Sequence, residues 1–429
     1  MKEFSQQYDV LVAGGGPAGV CAAVASARQG ARTALIERFG ILGGMLTSGY
    51  VNPILGAVAP GTMYDEVISF LGATDMKTRN GREMSVDTEQ AKGLFLKFVH
   101  DAGVDIFLQT PVVEVVKEGS AVKGLVTGTQ DGLKTLYADV VVDATGDGFV
   151  AARAGAAFQV GRESDGRCQP ASIEFSLDGV DEAQGITCWG GSDPVTLPDG
   201  TNYADFCKEA NARGELPENV TIVRIHRTSH PGERSINATQ ANGYNTLTPE
   251  GVLGAECEIR GQIDQIIQFL RKYIPGYAGC KLKGSGSTLG VRETRRIMGD
   301  YVISDRDVET GTRQPDVVVH KAWFLIDIHN PSGGGQAEGH SQPAIPYDIP
   351  YRSMLPVGLE GLITSGRCIS GTHRAHASYR IGGVCLATGQ AAGTAAALAA
   401  LERVTPRQLD VRKIQEALEK QGAVLFDAK

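Results

Sequence analysis

The sequence predicts an α/β protein whose nucleotide-binding domain is discontinuous in the chain and carries an inserted α+β domain. Three observations lead there. Strand, glycine-rich turn, helix, second strand and acid follow in order from Tyr8 to Arg38, YDVLVAGGGPAGVCAAVASARQGARTALIER. A second buried-type strand, Ala138 to Thr145, closes on the small residues Ala144-Thr145-Gly146. After a middle of different pattern, a strand and glycine turn near Gly366 lead into an Ala-rich helix. The split is 1–155 with 357–429 for the nucleotide and 156–356 for the substrate domain.

In the first unit, Val10, Leu11 and Val12 read as a buried parallel strand. Gly14-Gly15-Gly16-Pro17-Ala18-Gly19 then satisfies G-x-G-x-x-G. Gly14 allows the tight turn, Gly16 lets backbone approach a pyrophosphate, and Gly19 lets the helix pack on the strand. The helix N-terminus offers unpaired N–H groups and a positive dipole end to the phosphates. Glu37 ends the next strand, where a carboxylate accepts bonds from ribose hydroxyls and repels a 2′-phosphate; Arg38 follows it. A dinucleotide without that extra phosphate is the expected ligand.

Composition excludes other classes. The 429 residues have a net charge of −8 and no long basic run, so nucleic acid is not an expected partner. The eight cysteines form no C-x-x-C, which removes a dithiol redox motif, an iron–sulfur run and a zinc ribbon. They read as reduced, buried thiols of a cytoplasmic protein. The opening MKEFSQQ lacks the apolar core of a signal peptide. Val384 to Leu401 is apolar, but it is built of Ala and broken by Gly, Gln and Thr; it reads as a buried helix, and no membrane span is expected.

After the acid comes Leu42-Gly43-Gly44-Met45-Leu46-Thr47-Ser48-Gly49. A glycine pair here lets backbone N–H groups lie along the ligand. With the fingerprint before it, this G-G-M-L-T-S-G run resembles the FAD-dependent oxidoreductase family and, more broadly, the glutathione-reductase-like FAD flavoproteins. The resemblance implies FAD, a Rossmann-like FAD-binding domain of glutathione-reductase type, and oxidoreductase activity. Under it, Gly43, Gly44 and Met45 run beside the pyrophosphate and flavin ring.

Thr62 to Leu71 reads as a helix within the irregular stretch 52–80. Ser85 to Ala102 reads as another, capped by Asp87 or Ser85, with Leu94, Phe95, Phe98 and Val99 as its apolar stripe. Gly103 stops it, and Val104 to Leu108 is a strand. Thr110 to Val116 is a strand too, and the resemblance gives the Val112 backbone to adenine. Val122 to Thr129 and Leu133 to Tyr137 form an antiparallel ribbon. Ala144, Thr145 and Gly146 match the A-T-G close of the resembled fold, where only small residues fit against the cofactor. Asp147 either binds ribityl hydroxyls or caps the helix at Val150 to Ala154.

In the substrate domain, Ala171 to Leu177, Thr221 to Ile225 and Lys321 to Ile328 read as strands, the last also seen as Trp323 to His329. Glu250 to Ile274 is the one strong helix. His226 and His230 are spaced i, i+4, but Pro231 argues against a helix, so they are either solvated or substrate-contacting, and no metal site is expected. Gly290 to Ile297, GVRETRRI, resembles a motif of the same family. Arg292 and Arg295 either share a face toward an anion or pair with Glu293 and Asp300. Ser332 to Gly335 looks like a mobile loop.

The end of the chain returns to the cofactor. Related flavoproteins usually carry Gly-Asp where this chain has Gly366-Arg367; an arginine there can pair with a phosphate. Ile381, Gly382 and Gly383 open the Ala-rich helix, whose N-terminus, by the resemblance, points at the flavin's pyrimidine edge. A helix N-terminus stabilises the negative charge that reduction places near N1. Gln408 to Gln421 is an amphipathic packing helix.

The expected function is hydride transfer between a small hydroxyl- or carboxylate-bearing substrate and flavin N5, with the reacting carbon held about 3–3.5 Å away. His373 and His376 are the expected acid–base residues, with structural hydrogen bonding as the other reading. Tyr379 is the reserve acid, and Arg380 and Arg292 are the anion anchors. The sequence leaves the electron acceptor open and is compatible with a homo-oligomer. The alternatives are an FAD-holding subunit of an electron-transfer complex and a flavin-dependent reductase or monooxygenase.

Overall fold

A computed structural model describes residues 6–75 and 84–427. Part of the opening MKEFSQQ and the end of the 52–80 stretch lie outside the described residues.

β-branched runs buried on both faces build the centre of the main sheet. Its strands are β1 (Gln7–Ala13), β2 (Thr33–Ile36), β3 (Asp105–Phe107), β4 (Val112–Glu118), β5 (Ala121–Thr129) and β6 (Gly132–Asp143), in the order β3-β2-β1-β6-β5-β4, with Leu362–Thr364 also on β6. The centre is parallel: Val12 sits opposite Leu35 and Val142, and Leu362 opposite Val141. The stretches read as Leu133 to Tyr137 and Ala138 to Thr145 are one strand. Its first half pairs antiparallel with β5 and its second half parallel with β1. No proline or glycine follows Gly132 within it, so nothing breaks it.

Helix α1 (Pro17–Arg28) follows β1. Helices α2 (Met63–Phe70) and α3 (Thr88–Asp101) come next, the latter capped by Asp87, which accepts from the Glu89 and Gln90 amides. The short α4 is Phe149–Ala154, and α5 (Tyr203–Ala212) and α6 (Pro249–Tyr273) belong to the middle of the chain. Then come α7 (Asp305–Thr310), α8 (His373–Tyr379), α9 (Gly382–Glu402) and α10 (Val411–Lys420). Helix α9 is buried along almost its whole length. A Cβ at Gly389 or Gly393 would run into the Ala18 or Ala22 carbonyl, so α9 lies backbone against backbone on α1.

A second sheet is wholly antiparallel. It is built of β7 (Phe175–Asp178), β8 (Arg224–Arg227), β9 (Arg234–Asn237) and β10 (Lys281–Ser285), ordered β8-β9-β7-β10. Phe175, Leu177, Ile225 and Ile236 join Ile259, Ile263, Ile266 and Leu270 of α6 in an apolar cluster of their own. The segment from Ile303 to Leu355 instead shares the core of β1, α1 and α9.

Three strands differ from expectation. Ala171 to Leu177 pairs regularly only from Phe175, because Ala171 and Ser172 make single bridges to Ala241 and Gly290. Thr221 to Ile225 becomes Arg224–Arg227, in register with β9. Lys321 to Ile328 becomes Val317–Ala322, paired with Tyr347–Pro350. Lys321 sits at φ +50°, and beyond Ala322 only isolated bridges continue, so Trp323 to His329 is no regular strand. The Ser332 to Gly335 loop is tied down: Asn242 Nδ2 donates to Asn330 O at 2.8 Å, Gln240 Nε2 to Gly333 O, and Arg167 Nη1 to Ser332 Oγ at 3.0 Å. Cys257 is exposed and Cys168 partly so, against the expectation that every thiol is buried.

Candidate active site

The glycine turn is tight where the expectation required it. Gly14 takes φ +96°, and a Cβ there would lie 2.6 Å from Ala144 O. A Cβ at Gly19 would collide with Gly14 O. At Gly16 it would meet nothing within 4 Å, so open space faces that backbone. Pro17 occupies the first helical position, and no side chain caps α1.

Distant segments close around this turn. Gly43 N donates to Gly15 O at 2.8 Å, and a Cβ on Gly44 would lie 2.8 Å from Gly16 Cα. Met45 sits in the 3-10 turn Gly44–Leu46. Glu37 accepts from Gly15 N at 2.5 Å and Phe39 N at 2.8 Å; Arg38 stacks over the Phe39 ring at 4.8 Å. A Cβ on Gly366 would lie 2.9 Å from Ala18 Cβ. Gly366 thus joins the same turn from the far end of the sequence. Val112 stands farther off, in the β4–β5 ladder opposite Thr127. Thr110 N, two residues earlier, bonds to Glu37 O.

At the A-T-G close, the capping role falls to a residue the sequence reading passed over. The carboxylate of Asp143, fully buried, accepts from Thr145 N, Thr145 Oγ1 and Ala151 N. Asp147 does not cap α4. It forms a 2.6 Å ion pair with Arg367 and accepts from Thr294 Oγ1 at 3.0 Å. Burial pushes the Asp147 carboxyl up, but Arg367 beside it brings it below the usual range. A Cβ on Gly146 would meet that guanidinium at 3.1 Å.

The run GVRETRRI connects this cradle to His373. Glu293, 1 % exposed, accepts from His373 Nδ1 at 2.9 Å, from Gln169 N at 3.1 Å and from Arg296 Nη1. Arg296 also binds the Gly371 and Gly161 carbonyls. Thr294 and Arg295 hold Asp147 by its carboxylate and its carbonyl. The pairing anticipated for Arg292 and Arg295 with Glu293 and Asp300 is therefore not the one formed. Arg296 and His373 take Glu293, and Arg407 takes Asp300. His373 Nε2 is buried without a partner.

The other catalytic candidates divide. Tyr379 donates its hydroxyl to Ile369 O at 2.9 Å and packs against Gly371, so it is structural and not a reserve acid. His376 is wholly buried with both ring nitrogens unpartnered. Burial, with Arg296 and Arg380 beside it, pushes its pKa well below the ordinary histidine value, which removes the near-neutral titration that made it a candidate. Gly383 gives its N–H to Leu55 O at 2.9 Å, and a Cβ there would touch Tyr64 and the Leu55 and Gly56 carbonyls. Its smallness serves chain packing, not ligand approach. Gly382 faces freer space, with Ile54 Cγ2 at 3.9 Å, and Ile381 is the N-cap of α9.

Arg292 and Arg380 converge on a second cluster. Arg380 Nη2 lies 3.1 Å from Asp327 Oδ2, His329 Nε2 lies 3.3 Å from the same carboxylate, and Arg292 Nη1 donates to Pro170 O at 2.8 Å. Gln169 Oε1 accepts from His329 N at 3.2 Å and Arg380 at 3.5 Å, which links this cluster to Glu293. Burial alone would raise Asp327; the hydrogen bond from His329 and the Arg380 charge hold it well below the usual range. Burial and Arg292 push His329 down to about 3, so it is neutral and Arg380 supplies the charge that pairs with Asp327. His226 is buried on β8, stacked at 4.1 Å on Trp189, and His230 Nε2 lies 2.7 Å from Asp87. No group of three or more metal-binding side chains occurs among the described residues.

The family described as "FAD dependent oxidoreductase" matches residues 9–418, which takes in both the cradle and the inserted sheet. The chain belongs to that family. It is an FAD-dependent enzyme of the oxidoreductase class. Among curated proteins it is similar to the tRNA uridine 5-carboxymethylaminomethyl modification enzyme MnmG of a Nitratiruptor species, 32% identical over 156 residues, 33% of this chain and 24% of that one. MnmG of Campylobacter hominis is 43% identical over 61 residues, 14% of this chain and 9% of that one. The chain therefore matches a quarter or less of these relatives' length. Among solved structures, a geranylgeranyl bacteriochlorophyll reductase-like protein from Thermoplasma acidophilum is 14% identical with a TM-score of 0.49, covering 97% of this chain and 82% of that one. The flavin-dependent brominase Bmp2 is 15% identical with a TM-score of 0.49, covering 96% and 83%.

The residues present fit the FAD that the family binds. Gly14, Gly19, Gly44 and Gly366 are packed to contact, while the space over Gly16 and the uncapped end of α1 stays open to a pyrophosphate. Glu37 stands beside that turn with its second-strand carboxylate, as a ribose partner must. The residues of these clusters that reasoning from sequence missed are Asp143, Gln169, Asp327 and His329. Only Asp327 and His329, in the apolar run FLIDIH, carried a signal: charged groups where a buried strand was expected.

Proposed function

We propose that this FAD-dependent oxidoreductase transfers a hydride between a small polar organic substrate and flavin N5, with His373 as the acid–base group. The observation that carries it is the Glu293–His373 pair. A buried carboxylate accepts from Nδ1 at 2.9 Å and leaves Nε2 buried and without a protein partner. That arrangement fixes tautomer and ring orientation, as a general base requires. Glu293 is itself held by Arg296 and the Gln169 amide, so the imidazole is fixed from behind. Bound FAD would supply a two-electron acceptor. Gly16, Gly43, Gly44, Glu37 and Gly366 would hold it, and His373 Nε2 would take or return the substrate's proton.

The proposal includes a glutathione-reductase-type cofactor domain at 1–155 and 357–429 and a substrate domain at 156–356. The separate apolar cluster around α6 supports a second unit, while the packing of Ile303 to Leu355 into the core of β1, α1 and α9 favours a boundary before Ile303.

The test is anaerobic bleaching of the purified flavoprotein by sugars, polyols, hydroxy acids and amines. His373→Ala should keep its yellow colour and bleach about 10²–10⁴-fold more slowly with the substrate that works. Glu293→Gln should retain FAD and slow bleaching by a smaller factor. Undiminished bleaching by His373→Ala would remove the assignment. Rapid reoxidation of the reduced flavin by oxygen would instead point to an oxidase or monooxygenase.

A further inference from the structure

One face of the β8-β9-β7 sheet carries Phe175, Leu177, Ile225 and Ile236, which pack with α6; the other face carries polar side chains, most of them buried. In antiparallel pairs, directly opposite residues project to the same side. Arg224 pairs with Asn237, and Phe175 with Ile236, which brings Glu174, Asn237 and Arg224 into one row across three strands. Ser176, Ser235 and His226 form the next row. Ser235, Ser176, His226 and Glu174 are 1%, 4%, 5% and 7% exposed. Such a face costs stability unless its groups are bonded. Yet Glu174 Oε2, Asn237 Oδ1, Ser235 Oγ and both nitrogens of His226 are buried and unpartnered.

We infer that this polar face, together with Arg292 and Arg380, is a binding subsite for an anionic group of the substrate, a carboxylate or a phosphate. Arg292 comes from the GVRETRRI run and Arg380 from the loop before α9. Arg224 carries no side-chain hydrogen bond or ion pair among the described residues, so one guanidinium is free for a ligand. The charges do not balance without that ligand. Arg224, Arg292 and Arg380 are cationic; of the ionised acids, Asp327 pairs with Arg380, and Glu293, which also faces Arg380, is already shared with Arg296. Glu174, pushed up to about 8 mainly by burial, holds its proton at neutral pH, and His226 and His329, both pushed down to about 3, are neutral. Nearby Arg296 and Arg367 are already taken by Glu293 and Asp147. A partly buried surplus of positive charge is what a carboxylate or phosphate neutralises, with planar guanidinium forks that suit either. Protonated Glu174 and the neutral histidines add donors without adding repulsion.

The inference rests on the proposed role of this region as the substrate domain, but its test needs no turnover. FAD-loaded protein is titrated calorimetrically with malonate, with inorganic phosphate and with glycerol as the neutral control. Saturable one-to-one binding of an anion, and none of glycerol, is expected. Malonate alone binding identifies a carboxylate site, and phosphate alone a phosphate site. Arg224→Gln, which breaks no observed contact, should weaken that binding about tenfold or more with the flavin spectrum unchanged. Asn237→Asp, placing an acid in the same row, should do the same, while Arg213→Gln on the exposed end of α5 should leave it unchanged. Absence of saturable binding by either anion, or wild-type affinity in Arg224→Gln, would overturn the inference. Intact anion binding in a protein that no substrate on the panel reduces would remove the hydride-transfer reading and leave this site standing.

Discussion

Gly16 and Gly19 lie three residues apart and answer to opposite demands. An added methyl at Gly19 meets the Gly14 carbonyl; at Gly16 it meets nothing in the protein. Gly19→Ala should therefore destabilise the apoprotein by about 1–3 kcal/mol through overpacking. Gly16→Ala should leave apoprotein melting unchanged and weaken FAD retention. Denaturant titration beside flavin-release measurements separates the two, and equal apoprotein stability in both variants would contradict this account. Glu174 makes a second prediction at this scale. Burial raises its pKa from 4.5 to about 8. Below pH 4.5 both folded and unfolded chains hold the proton. Between 4.5 and 8 only the folded chain does, so stability falls as pH rises through that window, by about 3 kcal/mol as an upper figure near neutrality. Glu174→Gln should flatten that slope in melting curves taken from pH 5 to 8.

At the scale of elements, the decisive contact is α9 on α1. Gly389 and Gly393 let two helices touch through their backbones, and this places the start of α9 near the glycine turn. Gly393→Ala should force the helices apart, lower the melting temperature by several degrees and loosen FAD, although residue 393 is far along α9 from its N-terminus. A variant with wild-type melting and flavin affinity would sink that reading. The strand–turn–helix unit, the Asp87 cap and the Ile-striped α6 were legible because each is a local pattern. The shifted strands were not, because their limits are set by partners such as Ile236 and Tyr347–Pro350 rather than by their own residues.

Across the whole molecule, the cradle proposed for FAD is built from segments at both ends of the chain, so removal of FAD should be felt globally. Stripping FAD should lower the unfolding midpoint, and restoring it at about 100 times its Kd should return ~2.7 kcal/mol. Calorimetry of apo and reconstituted protein checks this, and identical midpoints would count against a cradle built from Gly16, Gly44 and Gly366. GVRETRRI shows the same long reach. Its five polar residues contact Pro170, Gln169, His373, Asp147, Gly371 and Gly161. Sequence spacing could show that those residues were charged, but not which partners would meet them.

The sequence alone determined the nucleotide fold and its ligand class. Tight turns, buried strands and an acid at the end of the second strand are consequences of sterics and periodicity over a few neighbouring residues. Tertiary structure alone decided which histidine has a carboxylate behind it, that Tyr379 is held by Ile369, and that Arg224 shares a buried face with Glu174 and Asn237. Those outcomes depend on burial and on partners distant in the chain, and a side chain's protonation and availability follow from its surroundings rather than from its sequence neighbours.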